Sequence, residues 1–272
     1  MRDIKFYKKK AFEIRKKLFE KFYILKEGHP GSVFSILDIL LVLYYGKHVR
    51  VSGKEVIDDV IMSKGHATVG QYPILNELKV LSNKDWKNWG KNQNTCLRMF
   101  GNHKIPGIKT STGSLGHGIG FATGIAYSAL KNKKNKKVFV IISEGELYEG
   151  STWEGLLLLA TLKLKNVYII LDVNNNIILG KTKDCLDLGN IKKKFQSFDI
   201  FTEECDGHDF IEINKRIKKM SKINKPKCLI VNTIKGKGFS IMENKAKWHY
   251  ANPISEEQYK NSLINLKNNY GQ

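Results

Sequence analysis

Two short polar segments carry the side chains in this sequence best suited to chemistry. SEGE at Ser143–Glu146 and DVNNN at Asp172–Asn176 each come directly after an apolar run of five residues. Each segment places an oxygen that can bind a metal, the Glu144 carboxylate or the Asn174 amide, at the end of a predicted buried strand. Because such ends share one edge of a parallel sheet, the arrangement predicts a hard cation held against a diphosphate.

Strands and helices alternate along the chain, which predicts an α/β fold: a mostly parallel sheet flanked by helices on both faces. Strands are predicted at Val138–Ile142, at Val167–Leu171 and, more briefly, at Phe198–Phe201, ahead of the loop CDGHD. The segment of about residues 1–27 has apolar residues at three- and four-residue steps, typical of an amphipathic helix. With a helix-like tail at about residues 254–272, we expect residues 1–272 to form a single domain.

The composition narrows the class of protein. With 272 residues, 42% of them hydrophobic, the chain can bury one substantial core. No apolar run approaches the roughly 20 residues that span a bilayer, and the N-terminus lacks the apolar stretch of a secretory signal. The four cysteines are scattered, with no CxxC-type pair, so we expect no membrane partner and a reducing, cytoplasmic location.

The formal net charge of +20 is compatible with nucleic acid, an acidic partner or anionic substrates. The lysines are dispersed, however, and are not interleaved with aromatic residues on one short element. Even the densest run, Lys131–Lys137, lies between a predicted helix and a predicted strand. We therefore expect solvated surfaces and no nucleic-acid partner.

Six of the seven histidines lie beside glycine or at strand ends, and several fall on loops at the same predicted sheet edge. One such histidine is usually a structural hydrogen-bonding group, whereas several together can bind diphosphate oxygens or move protons. Their spacing includes no HxH or HExxH zinc pattern. The six are His29, His66, His103, His117, His208 and His249.

Two further patterns leave alternatives open. The glycine-rich stretch Gly113–Gly118 predicts either a phosphate cradle that opens the next helix or a plain tight turn. Glu146, Glu149 and Glu154 surround the start of a predicted helix. They either stabilise the helix dipole or form a buried network that shares protons at an interface.

Seven motifs in fixed order resemble the N-terminal half of transketolase, the half that binds the diphosphate of thiamine diphosphate. The resemblance covers nearly the whole chain and is closest to split transketolases, in which this half is a separate polypeptide. The motifs are GHPG (28–31), SKGHA (63–67), TGSLGHG (112–118), SEGELYEGSTWE (143–154), DVNNN (172–176), DGHD (206–209) and KGKGFSIMENKAKWH (235–249).

The resemblance implies a site built from named residues. Glu144, Asn174 and the Asn176 carbonyl would bind Mg²⁺ together with diphosphate oxygens. The implied cofactor contacts are His66, Gly113, Ser114, Leu115, Gly145, Glu146, Asn174 and His249. The implied catalytic residues are the channel histidines His29, His103 and His249, with Glu149 and Glu154 as interface carboxylates that link two active sites.

One position departs from the family pattern. Glu144 stands where the family has aspartate, and its extra methylene moves the carboxylate by about 1.5 Å. That shift matters for Mg²⁺, which demands near-octahedral geometry. We expect metal binding to persist because Asn174 and the Asn176 carbonyl remain.

The resemblance also implies a partner. The carboxylate that activates the cofactor, and most residues that grip a sugar phosphate, belong to the family's other half. We therefore expect a C-terminal, pyrimidine-binding transketolase subunit in an α2β2 assembly, and no activity from this chain alone.

The expected reaction transfers a two-carbon ketol unit from a ketose or its phosphate to an aldose or its phosphate. Alternatives are another thiamine diphosphate reaction, a specialised transfer that builds an unusual sugar, or a non-catalytic basic binding protein.

Overall fold

Ten α-helices and nine strands alternate along residues 2–91 and 95–270, which the computed structural model describes. The helices are α1 (Ile4–Leu25), α2 (Pro30–Tyr45), α3 (Tyr72–Glu77), α4 (Asn83–Asn88), α5 (Gly118–Lys131), α6 (Gly150–Thr161), α7 (Thr182–Cys185), α8 (Ile191–Ser197), α9 (Phe210–Met220) and α10 (Glu256–Tyr270). The strands are β1 (Val51–Ser52), β2 (Glu55–Val56), β3 (Asp59–Met62), β4 (Val138–Ser143), β5 (Val167–Val173), β6 (Asn176–Ile177), β7 (Gly180–Lys181), β8 (Phe201–Asp206) and β9 (Lys227–Asn232). Short 3₁₀ turns cover Gly65–Gly70, Glu144–Tyr148 and Ala246–His249.

The central sheet has five parallel strands in the order β3-β4-β5-β9-β8. Its register pairs Ser143 at the end of β4 with Asp172 near the end of β5. The loops that follow these strands therefore emerge at the same edge. This parallel sheet, with helices on both faces, confirms the predicted fold class.

The sheet is apolar on both faces because both are covered. One apolar cluster joins the sheet to α1, α2 and α9, and a second joins it to α5, α6 and α8. Strands buried on both faces read as continuous apolar runs, as β4 and β5 do. The two runs that the sequence analysis selected are therefore the middle of the sheet.

The two terminal helices pack against each other beside the sheet. The side chain of Asp3 caps α1 by accepting a hydrogen bond from the Phe6 amide at 2.7 Å. Phe19 on α1 stacks on Tyr259 of α10 with ring centroids 5.3 Å apart. The segments predicted at about residues 1–27 and 254–272 are thus both helical over most of their length.

The strand predicted at Phe198–Phe201 was placed too early, because β8 runs from Phe201 to Asp206 and includes part of CDGHD. Among the described residues β8 is an edge strand, paired with β9 alone. Because one side is open, it carries Glu203, Glu204 and Asp206, and it has no continuous apolar run to mark it. The apolar residues just before it were mistaken for the strand.

Within the described residues, we find no helix with the length and apolar character that a membrane crossing would need.

Candidate functional site

A cavity of about 420 Å³ opens at the carboxyl edge of the sheet. Residues that follow β3, β4, β5 and β9 all reach it, so it lies where parallel α/β folds bind ligands. Predicted site residues that line it are His29, His66, Gly113, Leu115, Glu144, Gly145, Glu149, Asn174, Asn176 and His249. The chain thus brings together predicted residues that are spread from position 29 to position 249.

The three residues predicted to bind the metal line this cavity, and the side-chain oxygens of Glu144 and Asn174 are already hydrogen-bonded. Glu144 accepts from the Thr182 hydroxyl at 2.7 Å and from the Asn175 amide at 2.8 Å. The Asn174 side-chain oxygen accepts from the Asn176 amide at 3.2 Å. Burial and the nearby Asp172 raise the pKa of Glu144, although its hydrogen bonds work in the opposite direction.

These oxygens fit a hard cation better than a transition metal. Within residues 2–91 and 95–270, no group of three or more His, Cys, Asp or Glu side chains could hold a metal ion. The predicted set is instead a carboxylate, an amide and a backbone carbonyl, and a diphosphate would have to supply further oxygens. Oxygen donors of this kind suit Mg²⁺, and a cation would offset the cost of burying the Glu144 charge.

Glu146 lies behind the cavity rather than in it. Its side chain is fully buried, and its oxygens accept hydrogen bonds from the Ser63 hydroxyl, from the Gly116 amide at 3.1 Å and from the Ser143 amide at 2.8 Å. The pKa of Glu146 is raised, because burial outweighs the hydrogen bonds, which lower it. Glu146, which the resemblance places among the cofactor contacts, thus connects SKGHA, the glycine stretch and SEGE by hydrogen bonds.

A buried ion pair forms the base of the site. Lys64 of SKGHA and Asp172 of DVNNN are both almost fully buried, and their side chains are paired. Asp172 also accepts hydrogen bonds from the Ser35 hydroxyl at 2.8 Å and from the Thr233 hydroxyl. The DVNNN segment is thus anchored by a residue that the prediction of metal ligands passed over.

A second lysine, Lys235, reaches the cavity from the loop after β9. It is 1% exposed, and burial together with Lys64 lowers its pKa to about 8. Its ammonium donates to Nδ1 of His249 at 3.2 Å, which places the proton of the neutral imidazole on Nε2. Gly31 permits this approach, since a Cβ there would lie 2.8 Å from the Trp248 carbonyl oxygen and 3.2 Å from Lys235 Cγ.

Three histidines cluster above these lysines. The ring centroid of His29 lies 5.0 Å from that of His66 and 5.4 Å from that of His249. Burial and Lys235 lower the pKa of His29 to about 4. Burial, followed by Lys235, His29 and Lys64, lowers the pKa of His249 to about 4 as well. All three are therefore neutral near pH 7, since burial and Lys64 hold the pKa of His66 well below 6.5. Nδ1 of His29 is buried without a hydrogen-bond partner among the described residues and remains available to a ligand.

Not every predicted residue reaches the cavity. His103 is exposed, and its Nδ1 pairs with the Ser111 hydroxyl at 3.0 Å, outside the cavity wall. Phe100 lies beside His29 instead, with ring centroids 5.7 Å apart. Ser114 is exposed next to Gly113 and also lies outside the lining.

The two predicted interface carboxylates lie towards the outside of this single chain. Glu149 precedes α6 at the rim of the cavity, and Glu154 lies on the first turns of α6 away from it. Near them, α5, α6 and the residue that caps α6 expose several large apolar side chains: Phe121, Tyr127, Leu157, Leu158 and Leu162.

Comparisons with known proteins match nearly the whole chain. Residues 8–271 match the family described as transketolase, thiamine diphosphate binding domain. The chain belongs to the transketolase family. It is 35% identical, over 85% of its length and 84% of the relative, to an apulose-4-phosphate transketolase subunit of Actinobacillus succinogenes. It is 29% identical, over 93% of its length and 94% of the relative, to the 6-deoxy-6-sulfo-D-fructose transketolase subunit SqwG of a Clostridium species.

A solved transketolase has the same fold over this region. The Campylobacter jejuni enzyme matches with a TM-score of 0.89 and 28% identity over 99% of this chain. The chain spans 43% of that enzyme's length, while it spans most of the two relatives named above. The sequence-based identification as a transketolase half of the split type, and as a thiamine diphosphate-binding domain, is confirmed.

Sequence reasoning missed the two lysines that line this cavity. Lys64 lies two residues after β3 and Lys235 three residues after β9. Both positions satisfy the rule that selected Glu144 and Asn174, a polar group just beyond a buried strand. The high lysine content concealed them, because 46 lysines and arginines make any single cation uninformative.

Proposed function

We propose that this chain is the diphosphate-binding subunit of a two-chain transketolase that uses thiamine diphosphate and Mg²⁺ to transfer a two-carbon ketol unit. The observation that supports this most is the polarity of the cavity. A buried lysine with a lowered pKa, Lys235, shares the cavity with the Asn174 amide and the glycine stretch. Lys235 forms no salt bridge with a carboxylate among the described residues, although Asp172 acts on it from nearby, and a buried cation of this kind is stabilised by an anionic ligand.

Each group at the base of the cavity has a distinct part in holding the diphosphate. Lys64 and Lys235 supply positive charge, and the backbone at Gly113 and Leu115 supplies amide donors near the start of α5. Glu144, Asn174 and the Asn176 carbonyl would hold Mg²⁺. When bound, thiamine diphosphate supplies the nucleophilic carbon of the reaction.

In the proposed reaction the histidines donate and accept protons and hydrogen bonds. Since their pKa values are low, His29, His66 and His249 act near pH 7 as neutral donors and acceptors rather than as cations. The Nε2–H of His249 can donate to a developing substrate alkoxide. Nδ1 of His29, which has no hydrogen-bond partner within the part of the chain that the structure describes, can bind a ligand. His103 would join them only if the loop at 101–111 were rearranged by a partner.

We further propose an α2β2 assembly with a pyrimidine-binding subunit, in the cytoplasm. The exposed apolar side chains on α5 and α6 support contact with another chain on the side where Glu149 and Glu154 lie. Ile178 and Leu179, between β6 and β7, are 51% and 80% exposed, and Ile178 lines the cavity. A partner that closes the cavity would cover this second apolar region.

The substrates we propose are sugars outside central metabolism. This choice is supported by two relatives that are named for apulose 4-phosphate and for 6-deoxy-6-sulfo-D-fructose. Replacement of the family's aspartate by Glu144 is consistent with divergence from the central enzyme.

A reconstitution experiment tests the function. The purified chain should bind inorganic pyrophosphate with Mg²⁺ but should catalyse no ketol transfer, because the groups that activate the cofactor belong to the other half of the enzyme. Adding a pyrimidine-binding partner chain, sought first in the neighbouring gene, should restore transfer. Full activity from this chain alone would refute the two-chain assignment, and salt-sensitive polyanion binding without pyrophosphate binding would favour a non-catalytic basic protein.

The role of Glu144 as a metal ligand can be tested separately. Glu144→Gln keeps the size of the side chain and an acceptor for Thr182 but removes the charge that a cation needs. We expect Mg²⁺-dependent pyrophosphate binding to weaken by about tenfold or more, with little change in binding measured in chelator. Calorimetric titration with and without chelator measures both.

Thr182→Val is the matched control, since it removes the hydrogen bond to Glu144 and leaves the carboxylate charge in place. It should retain most of the Mg²⁺ dependence. If Glu144→Gln binds Mg²⁺ and pyrophosphate as the wild type does, Glu144 is not a ligand.

A further inference from the structure

His208 of the DGHD motif lies outside the cavity, yet both ring nitrogens are engaged. Nδ1 lies 2.8 Å from an Asp38 carboxylate oxygen, and Nε2 lies 2.8 Å from the backbone nitrogen of Ile234. Because the Ile234 amide can only donate, Nε2 must be an unprotonated acceptor and Nδ1 must carry the proton. The ring is therefore held as one neutral tautomer.

Asp38 is fixed from its other side by a buried arginine. Arg15 donates to both carboxylate oxygens of Asp38, at 2.7 and 2.8 Å, and both side chains are almost fully buried. Burial alone would raise the pKa of Asp38, but Arg15 and His208 outweigh it and hold that pKa below its usual value. The carboxylate is thus ionised and well placed to orient the imidazole.

The same arginine reaches the far end of the loop after β9. Arg15 Nε donates to the Lys237 carbonyl at 3.0 Å. Gly238 allows this contact, since a Cβ there would lie 2.9 Å from Arg15 Cδ, and its φ of +100° suits glycine. His208 and Arg15 therefore hold the loop at Ile234 and at Lys237, on either side of Lys235.

Lys235 is held from the cavity side as well. The Gly236 amide donates to the Gly31 carbonyl at 2.9 Å, and the Lys235 ammonium donates to His249. A buried lysine that must meet an anion depends on the exact course of its backbone, since a displacement of about 1 Å is costly in a preorganised site.

We propose that His208 is a positioning residue: its neutral imidazole, anchored by Asp38 and Arg15, fixes the backbone at Ile234 so that Lys235 faces the bound diphosphate. The identity of that anion rests on the proposed function, whereas the contact between Lys235 and His249 does not. The DGHD histidine thereby acts on the cavity through the lysine.

Two substitutions distinguish the two hydrogen bonds of His208, the one to Asp38 and the one from the Ile234 amide. His208→Asn puts an amide near the position of Nδ1, so it can keep the bond to Asp38 but offers no acceptor to Ile234. His208→Gln reaches the position of Nε2 and restores an acceptor for the Ile234 amide. His48→Gln is the control. His48 is buried and bonds to Asn214 at 2.8 Å. It follows the C-terminal end of α2, whereas Gly31, which contacts the Lys235 loop, lies at the N-terminal end.

Three measurements on the purified chain decide the role: hydrogen exchange of the Ile234 amide, the NMR signals of the His249 imidazole, and the affinity for inorganic pyrophosphate with Mg²⁺. His208→Asn should speed exchange at Ile234, shift the His249 signals and weaken pyrophosphate binding by roughly three- to tenfold, the worth of one hydrogen bond. His208→Gln should return all three towards wild type. His48→Gln should lower stability and change none of them.

The proposal is overturned if the asparagine and glutamine variants behave alike, because a purely structural role would not distinguish them. It is also overturned if His208→Asn leaves the His249 signals unchanged. If the wild-type chain itself fails to bind pyrophosphate, the proposed function is at fault, and the Ile234 and His249 measurements still decide whether His208 positions Lys235.

Discussion

Asp172→Asn should destabilise the chain by about 3–5 kcal/mol, because it leaves the Lys64 ammonium buried without a counter-charge. Lys64 and Asp172 are 1% and 0% exposed at their side chains, so water cannot replace the lost partner. The second lysine nearby, Lys235, adds to the unfavourable field. Urea denaturation of the wild type and the variant measures the difference in the free energy of unfolding.

Two further variants show whether the charge or the hydrogen bonds of Asp172 carry the effect. Adding Lys64→Met to Asp172→Asn removes the uncompensated cation and should recover part of the lost stability. Asp199→Asn is the exposed control: its pair with Lys225 is 79% exposed at the aspartate, so its loss should cost less than about 1 kcal/mol. If the double variant is no more stable than Asp172→Asn, the ion pair is not the cause.

This ion pair also shows where sequence reasoning stopped. The apolar runs of β4 and β5 predicted the centre of the sheet because burial on both faces leaves a plain signal in the sequence. The same logic located the edge where Asn174 and Glu144 lie. It could not show that Asp172, which lies near the end of a buried strand, points to Lys64 more than 100 residues earlier in the chain.

The order of the motifs predicted which residues line the cavity better than it predicted the role of each residue. His29, His66 and His249 converge because their loops leave neighbouring strands and helices at one edge. The resemblance implied site roles for His103 and Glu146 as well, but His103 faces solvent and Glu146 is buried behind the glycine stretch. Whether a side chain faces a cavity depends on loop conformation, which carries no periodic signal in the sequence.

Glu144 illustrates a related limit. The sequence shows one methylene more than the family's aspartate, and from the sequence alone we expect metal binding to persist through Asn174 and the Asn176 carbonyl. In the structure the extra length is taken up by hydrogen bonds to Thr182 and to the Asn175 amide. The substitution is therefore accommodated by residues that follow β5, which no comparison at position 144 could have revealed.

Lys235→Met should weaken pyrophosphate binding by roughly 10- to 100-fold, the usual range for losing a hydrogen bond to a charged group from a buried site. The side chain is 1% exposed and lines the cavity, so methionine fills the same space without the charge. Calorimetric titration of the purified chain with inorganic pyrophosphate and Mg²⁺ measures the change.

The pH dependence of pyrophosphate affinity tests the role of Lys235 more directly. Burial and Lys64 lower the pKa of Lys235 to about 8, so its ammonium is present below that pH and is lost as the pH rises through it. The affinity of the wild type should therefore fall above about pH 8, relative to Lys235→Arg, which stays charged because the pKa of arginine exceeds about 12. Lys235→Met, which has no charge to lose, should show no such fall. If the wild type and the arginine variant keep a constant affinity ratio from neutral to alkaline pH, Lys235 is not the cation that holds the diphosphate.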